Sequence, residues 1–451
     1  MSTPTPDTPE STARHVWRLA WPTIISNLLF TTVGFAHIKI VAELGTTSVA
    51  AVTTGHRIFF LVQAVLMGLS VATTAMVARA WGAKDAAQAQ QVTWTSVVMA
   101  ICLASVISIP ILLAPHGLAS LFGLDPESTR LAAAFIFWLG LFNVPSAINM
   151  ILSTALRATG DVITPLLYLV VSSTFNIGFA YLFAFGIGPL PEMGVAGVSL
   201  GGSLGAALVT LIFIAAWWRG GFRVRPPKQL SVAGTNVRQL VHIGMPAVIE
   251  QGIVQLAFLA FFAIIAQYGT EAYAAYGIGV SIVGFSVVVG FGFGIATATL
   301  VGQQLGAGQP ELAMLAISRS LRMALIAMCI LSVLMAWFAE ELARFIIDDP
   351  DVIELTVVFI YFIAVAQPLM ACEFAVGGAL RGAGDTRFPL IATFCGIILG
   401  RLLPAVVFLL LDLSVYWIFA VMIFDYCIKA VMLMHRYYSR KWLDIKITAA
   451  S

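Results

Sequence analysis

The stretch ALRATGDVITP, Ala155 to Pro165, returns as ALRGAGDTRFP, Ala379 to Pro389, at an offset of 224 residues (379 against 155). Working outward at that offset, Asp125-Pro126 meets Asp349-Pro350, and Val77, Gly82 and Ala83 meet Val301, Gly306 and Ala307. Ala50-Ala51 meets Ala274-Ala275, Gly45 meets Gly269, and Pro22 in LAWPTIISN meets Pro246 in IGMPAVIEQ. One helix drifts by a residue, since Pro145 aligns with Leu369 rather than Pro368. A duplicated hydrophobic half is the usual plan of a secondary transporter, which needs two bodies about a central site.

Composition agrees. Sixty per cent apolar residues and ten per cent charged exclude an ordinary soluble domain, in which about 25% of residues are charged. A net charge of +2 gives no reason to expect a nucleic-acid partner. The apolar run from about Val16 to Ala42 is too long for a signal-peptide core and reads as a retained membrane helix. The five cysteines (Cys102, Cys329, Cys372, Cys395, Cys427) fall in apolar helices with no metal-ligand spacing, so neither disulfides nor a metal centre is expected.

Twelve runs are long enough to cross a bilayer: 16–42, 49–79, 92–114, 129–155, 163–186, 194–218, 239–267, 273–303, 316–339, 353–378, 388–411 and 414–437. The expected fold is an all-α membrane protein with 12 transmembrane helices in two six-helix halves, related by a pseudo-two-fold axis along the membrane normal. The boundaries are a disordered cytoplasmic tail at 1–15, a first half at 16–219, a cytoplasmic linker at 220–238, a second half at 239–437 and a cytoplasmic tail at 438–451. Nineteen of the 24 Lys and Arg residues fall on one side under this threading, which places both termini in the cytoplasm. The expected location is the cytoplasmic (inner) membrane.

With LAxPxxxxN opening helix 1 (Leu19 to Asn27), LG then AA leading into helix 2, and ALRxxGDxxxP between helices 4 and 5 and again between 10 and 11, the chain resembles the multidrug and toxic compound extrusion (MATE) family from Trp17 to about Tyr438. The resemblance implies a V-shaped antiporter that exports organic compounds in exchange for protons or sodium ions. Two departures are informative. Many members carry an Asp in helix 1 where this chain has His37, and one branch has an Asn and an Asp in helix 5 where this chain has Asn176 and Ala180.

Ionisable residues at membrane depth cost about 2.5–3.5 kcal/mol on insertion scales, so each marks a candidate site. Glu250 in helix 7 and Glu373 in helix 10 lie about 15 Å and 12 Å from the cytoplasmic ends on helical rise, and are the first candidates for ion coupling. His37 joins them because it can titrate near neutral pH. Asp425 in helix 12 is a further candidate, although Arg401 in helix 11 and Lys429 one turn on are positioned to neutralise it. The substrate cavity is assigned Asn27, Asn176, Gln251, Gln255, His56 and Arg57. His37, Lys39, His56 and Arg57 form a basic cluster whose counterparts in the second half, Phe261, Ala263, Val280 and Ser281, are uncharged.

The reading is a secondary active antiporter, not an enzyme, that exports drugs, toxins or metabolites in exchange for protons. No cofactor is expected beyond the proton gradient, with sodium as the alternative coupling ion. A small organic substrate and membrane lipids are the expected partners, and the chain is expected to act as a monomer. A lipid-linked precursor flippase of related fold is the alternative, favoured by the basic cluster. The other large twelve-helix transporter fold is disfavoured, because the loop after helix 2 reads RAWGAKDAAQAQ rather than GxxxDRxGRR.

Overall fold

The ALRxxGDxxxP stretch folds the same way in both copies. Gly160 and Gly384 adopt φ of +84° and +90°, a left-handed conformation that glycine takes without strain and that stops a helix. The following Asp161 and Asp385 accept from the backbone N–H of Thr164 at 3.1 Å and of Phe388 at 3.4 Å, capping the next helix. Pro165 and Pro389 then sit in a first turn, where a missing N–H costs nothing. The Asp-Pro pairs obey the same logic. Asp125 and Asp349 cap helices that begin at Pro126 and Pro350.

The computed structural model describes residues 9–445. It is all-helical, with no strand among the described residues. Among the described residues, eleven helices are long and apolar enough to cross a membrane, and a bent pair taken as one span makes a twelfth. In chain order the first half comprises α1 Pro9–Ala42, α2 Thr46–Gly82, α3 Ala86–Leu113, α4 as the pair Pro126–Leu141 and Asn143–Ala158, α5 Ile163–Phe185 and α6 Gly194–Trp218. The second comprises α7 Gly234–Ile265, α8 Thr270–Gly306, α9 Pro310–Trp337, α10 Pro350–Gly382, α11 Arg387–Leu410 and α12 Val415–Tyr438.

Several boundaries differ from expectation. Helix α1 begins at Pro9, so the last part of the 1–15 tail is helical, while residues 1–8 lie outside the described residues. Helix α7 starts at Gly234 inside the 220–238 linker. The C-terminal tail is anchored: Trp442 is fully buried among Val301, Leu380 and Leu433, and its indole N–H donates to Tyr437 O at 3.2 Å. Residues 446–451 of that tail lie outside the described residues.

The two repeats also differ from each other. Helix α4 bends by 52° between Leu141 and Asn143. Pro145, just past the break, cannot donate back along the helix, and Asn143 turns its amide to Ala104 O at 3.2 Å and Ser108 Oγ at 3.3 Å. Helix α10 runs on despite Pro368. Helix α11 opens into a π-helical segment over Gly396–Leu402, whereas α5 stays regular.

The chain forms two compact units, Ile25–Val248 and Ile249 to the C-terminal region joined by residues up to Ile24. The crossings, 24/25 and 248/249, are themselves separated by the repeat offset. Thus the opening of α1 belongs with the second-half helices and the opening of α7 with the first-half helices. Glycines hold these segments: a Cβ at Gly68 would collide with Val248, and one at Gly292, its counterpart, would collide with Ile24. Other packing details recur at the same offset. Gly55 lies against the Phe135 ring and Gly279 against Phe359. The Thr73 hydroxyl donates to Ser96 Oγ at 2.9 Å, and the counterparts Thr297 and Ser320 pair likewise.

Candidate functional site

In the unit built on the second half, three acids and three bases gather within the spans. Glu250 on α7 is 3% exposed. Its Oε1 accepts from Arg381 Nη2 at 2.5 Å and from the Thr393 hydroxyl at 2.9 Å, and its Oε2 accepts from Arg381 Nε at 3.4 Å. Asp425 on α12 is fully buried and accepts from Arg401 Nη2. Lys429, one turn on, stands 3.2 Å from Asp425 Oδ1 and 3.5 Å from Glu373 Oε1. Its ammonium also lies 5.0 Å from the Tyr426 ring centre, and the Arg401 guanidinium 5.9 Å from the rings of Phe261 and Tyr426. Each buried charge therefore has an opposite partner, the condition under which a low-dielectric interior tolerates charge.

Glycine makes this network possible. A Cβ at Gly396 would fall against Asp425 Oδ1 and Lys429 Cγ, and one at Gly400 against the backbone of Asp425. This small-xxx-small step brings α11 onto α12 at the acid. Arg401 sits inside the π-helical segment, a local unwinding that recurs at functional sites.

The first-half unit has a histidine and amide site instead. Asn176 on α5 donates from Nδ2 to Gly202 O at 2.8 Å, so its Oδ1 must face His37, whose Nε2 lies 2.7 Å away. An amide oxygen only accepts, so Nε2 carries a proton, and in the neutral ring Nδ1 then holds the lone pair. Nδ1 is buried and has no partner. The His56 ring stacks on His37 with centroids 5.8 Å apart, and its other neighbour is the edge of Phe135 at 5.5 Å. Ala180, where an Asp stands in some MATE members, is fully buried. Across the repeat, His37, Asn176 and Gly202 correspond to Phe261, Gly400 and Tyr426, and the Arg401 guanidinium lies 5.9 Å from the rings of Phe261 and Tyr426.

The residues singled out from sequence are thus divided. The structure brings Glu373 and Asp425 together through Lys429, and His37, His56 and Asn176 together in the other unit. Glu250 joins Arg381 and Thr393. Lys39 and Arg57 are exposed, while Asn27, Gln251 and Gln255 are partly buried. Sequence reasoning assigned Arg381 to the cytoplasmic end and missed its pairing with Glu250. It also missed the Lys429–Glu373 pair and the role of Thr393. A charge balance would have pointed to them, since three acids in the second-half spans call for three bases. No group of three or more His, Cys, Asp or Glu side chains with metal-binding geometry occurs among the described residues.

A duplicated bundle of twelve apolar spans with paired charges buried inside them is the build of a secondary transporter. The sequence model of the MatE family matches residues 22–182 and 246–407, one copy per repeat. The chain belongs to the MATE family. It is 28% identical over 441 residues to a probable multidrug resistance protein NorM of Thermotoga maritima, covering 95% of this chain and 93% of that one. It is 24% identical over 395 residues to an FAD transporter of Shewanella oneidensis, covering 86% of each. Among solved structures, a MOP superfamily transporter from Pyrococcus furiosus, described as having a binding pocket of reversed polarity, superposes with a TM-score of 0.88 at 21% identity over 96% of this chain and 97% of that one. These relatives are transporters rather than enzymes, and they do not favour the flippase alternative.

Proposed function

We propose that the protein is an antiporter that exports small organic compounds across the cytoplasmic membrane in exchange for protons, with both termini in the cytoplasm and the chain acting as a monomer. Family membership supports export, since relatives are named for multidrug resistance. The observation that carries proton rather than sodium coupling is that Glu250, Glu373 and Asp425 each already lie against a tethered cation. A sodium ion needs free oxygen ligands and would have to displace a guanidinium or an ammonium. A proton needs one titratable atom, and Glu250, Glu373 and the free Nδ1 of His37 are the candidates.

The cargo in this reading carries an anionic group. The first-half unit offers histidines with Lys39 and Arg57 nearby in sequence, and a relative is named an FAD transporter, FAD being a diphosphate anion. Asn27, Asn176, Gln251, Gln255, His56 and Arg57 are the proposed cavity residues.

Reconstitution into proteoliposomes tests the coupling. Transport driven by a pH gradient at constant sodium is expected, with strong loss in Glu250→Gln and Glu373→Gln at normal protein levels. Transport driven by sodium at constant pH, with none driven by pH, overturns the assignment. Parallel assays with cationic dyes and acidic compounds, in the parent and in Arg57→Gln, test the cargo charge.

A further inference from the structure

Of the six charged side chains in the Glu250–Arg381 and Glu373–Lys429–Asp425–Arg401 groups of the second-half unit, one keeps a charged counterpart in the first. At the repeat offset, Glu250, Glu373 and Asp425 become Ser26, Asn149 and Gly201, while Lys429 and Arg401 become Gly205 and Ile177. Arg381 alone persists, as Arg157. The guanidinium is thus present in both halves and the carboxylate beside it in one.

Arg157 lies near the end of α4, is partly buried, and forms no ion pair among the described residues. Its one side-chain contact is a long donation, 3.5 Å, to Thr154 Oγ1. Thr154 in turn shares a hydrogen bond of 2.8 Å with Ser70 Oγ. Both hydroxyls stand where the other repeat has glycine, Gly378 and Gly294, which there meet backbone to backbone. The first-half unit has therefore exchanged two glycines for hydroxyls beside a cation whose carboxylate is missing. Asn149, at the place of Glu373, is engaged with the Ser153 hydroxyl at 3.2 Å and supplies no charge.

The equivalent place in the other repeat shows what this arrangement receives. There a carboxylate accepts from Nη2 and Nε of Arg381 and from a hydroxyl. A guanidinium removed from water and left unpaired is costly, and its planar fork fits carboxylate or phosphate oxygens. We propose that Arg157, with the hydroxyls of Thr154 and Ser70, forms a binding site for an oxyanion, carboxylate or phosphate, that takes in the first-half unit the place of the Glu250 carboxylate in the second. The oxyanion comes from a solute or from a lipid headgroup.

The test uses the full chain purified in a neutral detergent. Its thermal unfolding is followed in sodium acetate and in sodium phosphate, each compared with chloride at equal ionic strength, and in micelles doped with phosphatidylglycerol. Saturable stabilisation by acetate or phosphate is expected in the parent. It is lost in Arg157→Gln and weakened at least several-fold in Arg157→Lys, which keeps the charge without the fork. Ser26→Glu supplies the carboxylate from the chain itself, so it raises the midpoint in chloride and abolishes the response to added anion. A response confined to phosphatidylglycerol, and removed by the same variants, assigns the site to a lipid headgroup. A parent that responds to none of the three overturns the proposal, as does a response that Ser26→Glu and Arg157→Lys leave unchanged.

Discussion

Arg401 reaches Asp425 from within the π-helical segment of α11, so a buried ion pair and a local unwinding of a helix occupy the same turn. Removing one partner leaves a charge stranded in an apolar interior. Asp425→Ala is expected to cost about 3–5 kcal/mol, whereas Arg401→Met combined with Asp425→Leu costs less than the single change. Unfolding in mixed micelles measures both, and a double variant as unstable as the sum of the singles would show that the pair does not act as a unit.

Glycines in the spans fall into two classes with opposite expected behaviour. A Cβ at Gly201 would run into the backbone of Phe179, so Gly201→Ala should lose about 1–3 kcal/mol through overpacking. Gly178, on the neighbouring helix, has nothing within 4 Å of a built Cβ. Gly178→Ala should therefore be neutral or stabilise by up to about 1 kcal/mol through helix propensity. Equal effects at the two positions would mean that α5 and α6 are not packed as described.

The hydrogen bonds of Asn176 dictate the tautomer of His37. Nitrogen NMR on histidine-labelled protein at neutral pH should show His37 with a protonated Nε2 and a lone pair on Nδ1. Asn176→Leu should broaden or invert that preference. A proton on Nδ1 with none on Nε2 in the parent would mean that the amide faces the other way.

Outside the spans, donation from Ser128, its hydroxyl together with its backbone N–H at 3.0 Å, holds the Asp125 carboxyl below the usual carboxylate range. A group depressed on folding adds stability above its ordinary value and loses it as pH falls through the folded value. Asp125→Ala should therefore melt below the parent at neutral pH, with the gap closing as pH drops below about 4. A gap that does not change with pH would assign the effect to packing rather than to the charged cap.

What the sequence made readable follows from what each residue demands. Gly160, Gly384 and the Asp-Pro pairs are required by backbone geometry at single positions, so the repeat they mark survives inspection by eye. Lys429 and Asp425 lie four residues apart on one helix, and their meeting follows from helical spacing. Glu250 and Arg381 are 131 residues apart, and nothing local in either segment announces the other. The π-helical segment of α11 leaves no trace in the apolar pattern, because Gly396–Leu402 is apolar or small on every side except at Arg401. The exchange of helix openings between units was also invisible, since Gly68 and Gly292 look like any small residue until their neighbours are known.

That exchange bears on how such a chain came to exist. A six-helix precursor with this packing has no complete core of its own, because the groove beside its second helix is filled by the opening of another copy's first. It would be whole only as a domain-swapped pair. Fusion of two copies then turns an intermolecular trade into an intramolecular one. The fused chain is free to let its halves drift apart in charge, while each still takes in the opening segment of the other's first helix. Cutting the linker between Gly220 and Ala233 should accordingly yield two fragments that accumulate only when made together.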